Sequence, residues 1–265
     1  MIFASDLDHT LIYSERFLPQ IKNTPLTQTE SGVYNSYMTA KAAKILFDLN
    51  SRLTFIPCTT RTVEQYRRVK FDALEPEWAI VSNGGNILHN NVVDKSYQAE
   101  IRRKLQHECT NAQKILKQFA ELNPSAWTEP LREADEVFFY CIFNKEKMPR
   151  QEFEDFSAWA KGQNWNISLQ GRKLYLVPGS VDKGAALLRL SQILQKQITF
   201  AAGDSLLDIS LLELAPNAFV PVHGEVRHYF SASGHWQYTK KDGLLAGEEI
   251  VANIAAIVTK QIYNL

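Results

Sequence analysis

MIFASDLDHT, residues 1–10, runs a short apolar strand straight into two carboxylates and a threonine. Residues 1–4 show no polar face, which places them inside a sheet covered on both sides, with Asp6 and Asp8 at the strand's C-terminal exit. Outward from there, 39–50 (TAKAAKILFDLN) has helical composition, 53–58 is an apolar strand, 62–70 a helix and 78–81 another strand. The same rhythm returns near the C-terminus, with a helix over 183–194, a strand over 198–202, a helix over 205–214, a strand over 218–222 and an amphipathic helix over 248–262. Such alternation predicts an α/β protein with a parallel sheet flanked by helices.

Between the two halves the rhythm changes. Residues 86–94 (NILHNNVVD) read as a hairpin turning at Asn90-Asn91. One long helix is expected next, its stripe running through Ile101, Leu105, Cys109, Ala112, Ile115, Phe119 and Leu122. Strand-like 136–144, a helix near 151–161 and strands at 165–169 and 173–177 complete an α+β insert. The expected organisation is therefore 1–84 and 179–265 as two parts of one core, with 85–178 as an inserted domain. The polar stretch 14–37 reads as a loop with room for a short helix.

Composition excludes several classes. Lysine plus arginine and aspartate plus glutamate number 29 each, so the summed charge gives no reason to expect nucleic acid or an anionic membrane as partner. The longest apolar run, 137–143, falls far short of the ~18 to 20 residues that cross a bilayer. The acid at position 6 is unlike a secretory signal, and three scattered cysteines, Cys58, Cys109 and Cys141, suit reduced thiols in a cytoplasm.

Four strand exits carry candidate chemistry. At the first, Asp6 and Asp8 can point into one crevice, where one attacks and the other handles a proton. Asp-x-Asp equally serves as a metal clamp or as a plain turn. At the second, the Thr59 hydroxyl can donate to a phosphate oxygen, with Thr60 and Arg61 following; a threonine there can also simply cap the next helix. Lys183 opens a helix, where a cation opposes the helix dipole and so points to a nearby anion. Asp204 and Asp208, in AGDSLLD, offer the hard oxygen ligands that Mg²⁺ takes, or a helix N-cap. Ligands in open α/β sheets bind at such carboxyl ends.

Taken together, DLDHT (6–10), the strand ending at Thr59 with Arg61, Asn83-Gly84-Gly85, Lys183-Gly184 and GDSLLD (203–208) resemble the haloacid dehalogenase superfamily. Within it, the chain resembles the Cof-type and sucrose-phosphate-phosphatase-like phosphatases, and motif order and insert position agree over essentially the whole length. The resemblance implies a Rossmann-like core with an α+β cap domain that closes over the crevice and sets specificity. It implies a Mg²⁺-dependent phosphomonoesterase acting on a small phosphorylated metabolite, a phosphosugar, through an aspartyl-phosphate. Asp6 would be the nucleophile and Asp8 the acid and base. Thr59 and Lys183 would bind phosphate oxygens, and Asp6, Asp204 and the Asp8 main-chain carbonyl would hold the metal, supported by Asp208. Arg61, Asn83, Arg172 and Lys173 are the candidate substrate contacts. A phosphotransferase or mutase on the same core, or a non-catalytic phosphate-binding protein, are the alternatives. Three positions depart from the family pattern: His9 and Thr60 stand where glycine is usual, and Leu207 where asparagine is frequent.

Overall fold

The strand Ile2–Ser5 is buried at every position and is an interior strand of a five-stranded sheet. In this computed structural model, residues 1–20, 24–31, 35–71, 73–229 and 235–263 are described. The sheet order is Trp236–Tyr238, Asn217–Val220, Ile198–Ala202, Ile2–Ser5, Thr54–Pro57, and every pairing is parallel. A parallel bridge from Cys58 to Ile80 continues it to Trp78–Val81. The chain goes from Ile2–Ser5 to Thr54–Pro57 on one side and comes back to Ile198–Ala202 on the other. Strand order thus reverses at the first strand, and the crevice beyond its C-terminal end is where an open α/β sheet takes its ligand.

Helix Ala40–Asn50 begins at Thr39, whose hydroxyl accepts from the Ala42 N–H at 3.0 Å and donates to Glu248 on helix Gly243–Tyr263 at 2.8 Å. That one residue caps the first helix and ties it to the last. Helix Val63–Arg67 is capped by Thr62, with Gln65 reciprocating, so Thr59 and Thr60 are not its caps.

The chain divides into two compact units, Met1–Val92 with Lys183–Leu265, and Val93–Asp182. The expected insert, 85–178, differs at both ends. Asn86–His89 pairs antiparallel with Trp78–Val81 and so stays with the core, turning through Asn90 and Asn91, both at positive φ. At the other end, the Gly179 N–H donates to the Asn164 carbonyl at 2.7 Å, which holds the exit strand to the second unit.

The second unit is an antiparallel sheet in the order Trp165–Gln170, Lys173–Pro178, Phe138–Ile142, Arg132–Ala134. Ile115 and Phe119 of one helix and Phe153, Phe156 and Ala160 of another share a core cluster with Leu174 and Leu176 of the sheet. The single long helix expected to carry the stripe from Ile101 to Leu122 is instead two, Lys95–Glu108 and Ala112–Ala120. Cys109 is extended, and the Asn111 side chain accepts from the Gln113 N–H at 2.8 Å, a cap that starts a new helix. Trp165 Nε1 donates to the Thr110 carbonyl at 2.8 Å, fixing the break. Apolar spacing carries through an interruption of this kind because the stripe survives while the backbone does not.

The stretch expected as a loop, 14–37, contains most of a three-stranded antiparallel sheet: Tyr13–Ser14, Leu26–Glu30 and Ser36–Thr39. A 3-10 turn, Glu15–Gln20, follows the first of these strands. LTQTE hides its strand character because its two buried residues, Thr29 and Glu30, are polar. The described residues include no helix long and apolar enough to cross a membrane.

Candidate active site

Four chain segments converge at the carboxyl end of the central strand. The Asp6 N–H donates to the Ala202 carbonyl at 2.9 Å, which locks the first strand's exit to that of the neighbouring strand. Lys183, the first residue of helix Lys183–Leu194, is completely buried, and its Nζ donates to Asp6 Oδ1 at 2.7 Å and Asp208 Oδ1 at 2.6 Å. The anion that the helix-opening cation pointed to is therefore this pair of carboxylates. Burial disfavours the ammonium, yet Asp208 and Asp6 outweigh it, and Lys183 is held protonated above the ordinary lysine range.

Asp208 is fixed from both sides. Its Oδ2 accepts from the N–H groups of Asp204 and Ser205, at 3.2 and 2.9 Å, and from Ser205 Oγ at 2.8 Å. Gly203 makes this possible: a Cβ at that position would lie 2.4 Å from the Asp208 Cβ. Asp6, Asp204 and Asp208 each bring an oxygen within 4.8 Å of the others. Desolvation by burial pushes Asp6 up to about 7, Lys183 pulling the other way and Asp208 adding to the rise. Asp204 is raised well above the usual carboxylate range by burial and then by Asp6 and Asp208. Three acids with one ammonium make a pocket of excess negative charge, and an all-oxygen donor set of this kind suits a hard divalent cation.

Asp8 is engaged differently. Its carboxylate takes a bidentate fork from Arg61, Nε to Oδ2 at 2.7 Å and Nη2 to Oδ1 at 2.9 Å. The Asp8 side chain is 40% exposed against 7% for Asp6, so the two carboxylates occupy an open and a closed position. Thr59 is buried, and its Oγ1 accepts from the Arg61 N–H at 3.1 Å. Asn83, buried and at φ 56°, donates its N–H to the Thr59 carbonyl. Asp6, Asp8, Thr59, Arg61, Asn83, Lys183, Asp204 and Asp208 all lie in the first compact unit, whereas Arg172 and Lys173 lie in the second. There Arg172 accepts the Phe143 N–H on its carbonyl, and Lys173 begins a strand.

Two supporting residues carry no sequence signal. Glu30 reaches Arg61 Nη1 at 2.6 Å from a polar stretch without periodicity. His223 Nε2 lies 3.1 Å from the His9 carbonyl while its Nδ1 accepts the Gly243 N–H at 3.2 Å, so this imidazole props the loop that carries Asp8. Only a histidine far along the chain could have hinted at it.

The family model described as sucrose-6F-phosphate phosphohydrolase matches residues 1–241. The chain belongs to this family. It is accordingly a phosphatase of the haloacid dehalogenase type, with the core and the additional α+β unit that the motifs implied. Among solved structures it is similar to the sucrose-phosphatase of Synechocystis sp. PCC6803, in complex with sucrose and phosphate (TM-score 0.70, 16% identity, 96% of this chain and 97% of that one). Similar too are Thermoplasma acidophilum 0175 (0.63, 15%, 97% and 97%) and the subclass IIB sugar phosphatase BT4131 (0.58, 10%, 99% and 98%). No curated protein sequence matches.

The departures from the phosphatase pattern have local reasons. His9 sits at φ 64°, the left-handed region where glycine is usual and histidine is among the better tolerated side chains. Its ring packs edge-on against Phe17 and Tyr13, centroids at 5.1 and 6.2 Å, contacts that a glycine would lack. Leu207 lies in the 3-10 turn Leu206–Asp208, where Asp208 is already saturated by Ser205 and main-chain donors.

Proposed function

We propose that this phosphatase hydrolyses a small sugar phosphate in a Mg²⁺-dependent reaction through an aspartyl-phosphate on Asp6. The observation that carries the reading is the buried Lys183 bridging Asp6 and Asp208 at the topological switch point, with Asp204 beside them. Asp6 attacks phosphorus as the ester P–O bond breaks, and Asp8 gives its proton to the leaving oxygen. Water then attacks the aspartyl-phosphate, passes a proton to Asp8 and releases inorganic phosphate, regenerating Asp6.

Asp6, Asp204 and the Asp8 carbonyl would hold Mg²⁺, with Asp208 orienting its neighbours; when bound, the ion supplies positive charge that offsets the repulsion between carboxylate and phosphate. The fit rests on the three convergent acids and on the raised positions of Asp6 and Asp204, which a cation would relieve. Lys183 and the Thr59 hydroxyl are assigned to phosphate oxygens, Arg61 and Asn83 to the substrate's surroundings. Specificity is assigned to the second unit as a cap, with Arg172 and Lys173 the first residues to replace. The family name and the sucrose-bound neighbour support a sugar leaving group, sucrose 6-phosphate first. Three cysteines scattered along the sequence, an odd number, support action in the cytoplasm.

The test is phosphate release across sugar phosphates, nucleotides and pyridoxal phosphate with Mg²⁺ or chelator, Asp6→Asn serving as blank. Sugar phosphates should head the panel and chelator should abolish release; metal-independent turnover, or none on any ester, would refute the reading.

A further inference from the structure

Strand Leu26–Glu30 ends in a carboxylate placed inside the protein, Glu30 being 3% exposed. Its pairing with Ser36 on the neighbouring strand is a matter of main-chain atoms and would form with other residues. The reason for a buried acid therefore lies in its side chain, because an ionised carboxylate is costly away from water unless it is paired. Oε2 accepts from Arg61 Nη1 at 2.6 Å and from Ser36 Oγ at 3.4 Å, and Oε1 faces Arg68 Nε at 3.3 Å. Arg61 in turn commits Nε and Nη2 to the two oxygens of Asp8. Two carboxyl groups and two guanidinium groups thus form a chain, Arg68 to Glu30 to Arg61 to Asp8.

The geometry of the guanidinium gives this chain a purpose. It is a rigid plane, so fixing one nitrogen fixes the direction in which the other two point. With Nη1 anchored on Glu30, the remaining edge of Arg61 meets Asp8 in one orientation. Asp8 is the more exposed of the two loop carboxylates, and the fork narrows the rotamers its side chain can adopt. A proton relay needs its donor within hydrogen-bond reach of the leaving oxygen, and small displacements are costly to rate. We propose that Glu30 is a positioning residue for the reaction: acting through Arg61, it holds the Asp8 carboxylate in the orientation that serves proton transfer. The inference rests on the phosphatase reading above, in which Asp8 gives and takes that proton.

Glu30→Ala, Glu30→Gln, Arg61→Ala and the double variant Glu30→Ala/Arg61→Ala test it in the full chain. The substrates are the sugar phosphate that the unaltered protein turns over fastest and para-nitrophenyl phosphate, with rapid-mixing detection of nitrophenolate and a thermal-unfolding check on each variant. On the sugar phosphate, Glu30→Ala should lower kcat roughly 10- to 100-fold, less than the whole of a proton-transfer contribution, with KM within about twofold. Glu30→Gln keeps an acceptor for Nη1 and should recover part of the loss. The double variant should match Arg61→Ala alone, because Glu30 acts through Arg61.

Nitrophenolate leaves without a proton, so its first burst should keep the normal rate in Glu30→Ala while later turnovers slow, since water attack still calls on Asp8. A purely structural role would slow both phases together and add to the effect of Arg61→Ala. Either of those results, or an unimpaired kcat in Glu30→Ala beside an active unaltered protein, overturns the inference alone. No phosphate release by the unaltered protein from any ester overturns the phosphatase reading and the inference with it. Should Glu30→Ala fail to fold, Glu30→Gln takes its place in the same comparisons, including the double variant.

Discussion

Replacing Lys183 with methionine keeps an unbranched side chain in the same space and removes the cation bonded to both Asp6 and Asp208. All three side chains are nearly or fully buried, at 1%, 7% and 0% exposure, so water is not at hand to take over. Breaking a buried ion pair by deleting one partner costs about 3–5 kcal/mol, because a charge is left uncompensated. Among the described residues Asp208 retains three donors from Ser205 and Asp204, whereas Asp6 retains a 3.4 Å bond from Thr10 to its Oδ2, so the loss falls mostly on Asp6. Asp6 can escape by taking a proton. Its pKa is already raised to about 7, so its ionised form is penalised in the folded state. That penalty is absent below the unfolded value, grows as pH rises, and is complete above the folded value. Without Lys183 the folded value rises further. Between pH 5 and pH 8 the two proteins differ in Asp6 protonation over about one pH unit, worth about 1.4 kcal/mol, so urea unfolding in chelator should show the loss of about 3–5 kcal/mol at pH 8 and about 1 kcal/mol less at pH 5. A loss equal at the two pH values, or under about 1 kcal/mol at pH 8, would refute the claim that Lys183 neutralises a buried carboxylate pair.

Gly203→Ala should displace Asp208, cost about 1–3 kcal/mol in unfolding free energy and sharply raise the Mg²⁺ concentration needed for activity, since the new Cβ would stand 2.4 Å from the Asp208 Cβ. Because Asp6 and Asp204 must be ionised to bind a cation and both are raised, Mg²⁺ should increase the melting temperature more at pH 8 than at pH 6, and Asp204→Asn should shrink that increase; calorimetry with and without the ion decides it. Burial lowers the His223 pKa, so its contribution to stability is complete above the ordinary histidine value and is lost as pH falls through it; between pH 7.5 and 5.5 the melting temperature should drop further for the unaltered protein than for His223→Gln. His9→Gly removes left-handed strain of about 1 kcal/mol but also the contacts with Phe17 and Tyr13, and should change unfolding free energy by less than about 1 kcal/mol in urea titrations.

The parallel core was legible because its signals are local and redundant: fully apolar strands such as 2–4 and 200–202, each followed within two residues by an acid. Lys183 was legible because a cation at a helix start is electrostatically out of place, and its partners explain it. Elsewhere the sequence was opaque for identifiable reasons. The sheet containing Leu26–Glu30 carries buried threonine and glutamate where a strand pattern calls for apolar residues, and the Glu30 carboxylate is met by Arg61 and Arg68, partners that no periodicity encodes. The break between Lys95–Glu108 and Ala112–Ala120 was hidden because apolar spacing runs across it, while the bond from Trp165 to the Thr110 carbonyl that holds it is distant in sequence. Position 9 demanded a left-handed residue, a constraint set by the turn rather than by any neighbour in the chain.

The central claim is that Asp6 becomes phosphorylated during turnover. The direct measurement is acid quenching of the protein with Mg²⁺ and its best sugar phosphate within the first turnover, followed by mass spectrometry of the peptides. A phosphoryl group on the peptide spanning Asp6, absent in Asp6→Asn and lost on further incubation, is the predicted result. Phosphate release with Asp6 never modified, or with the phosphoryl group on another residue, would contradict it.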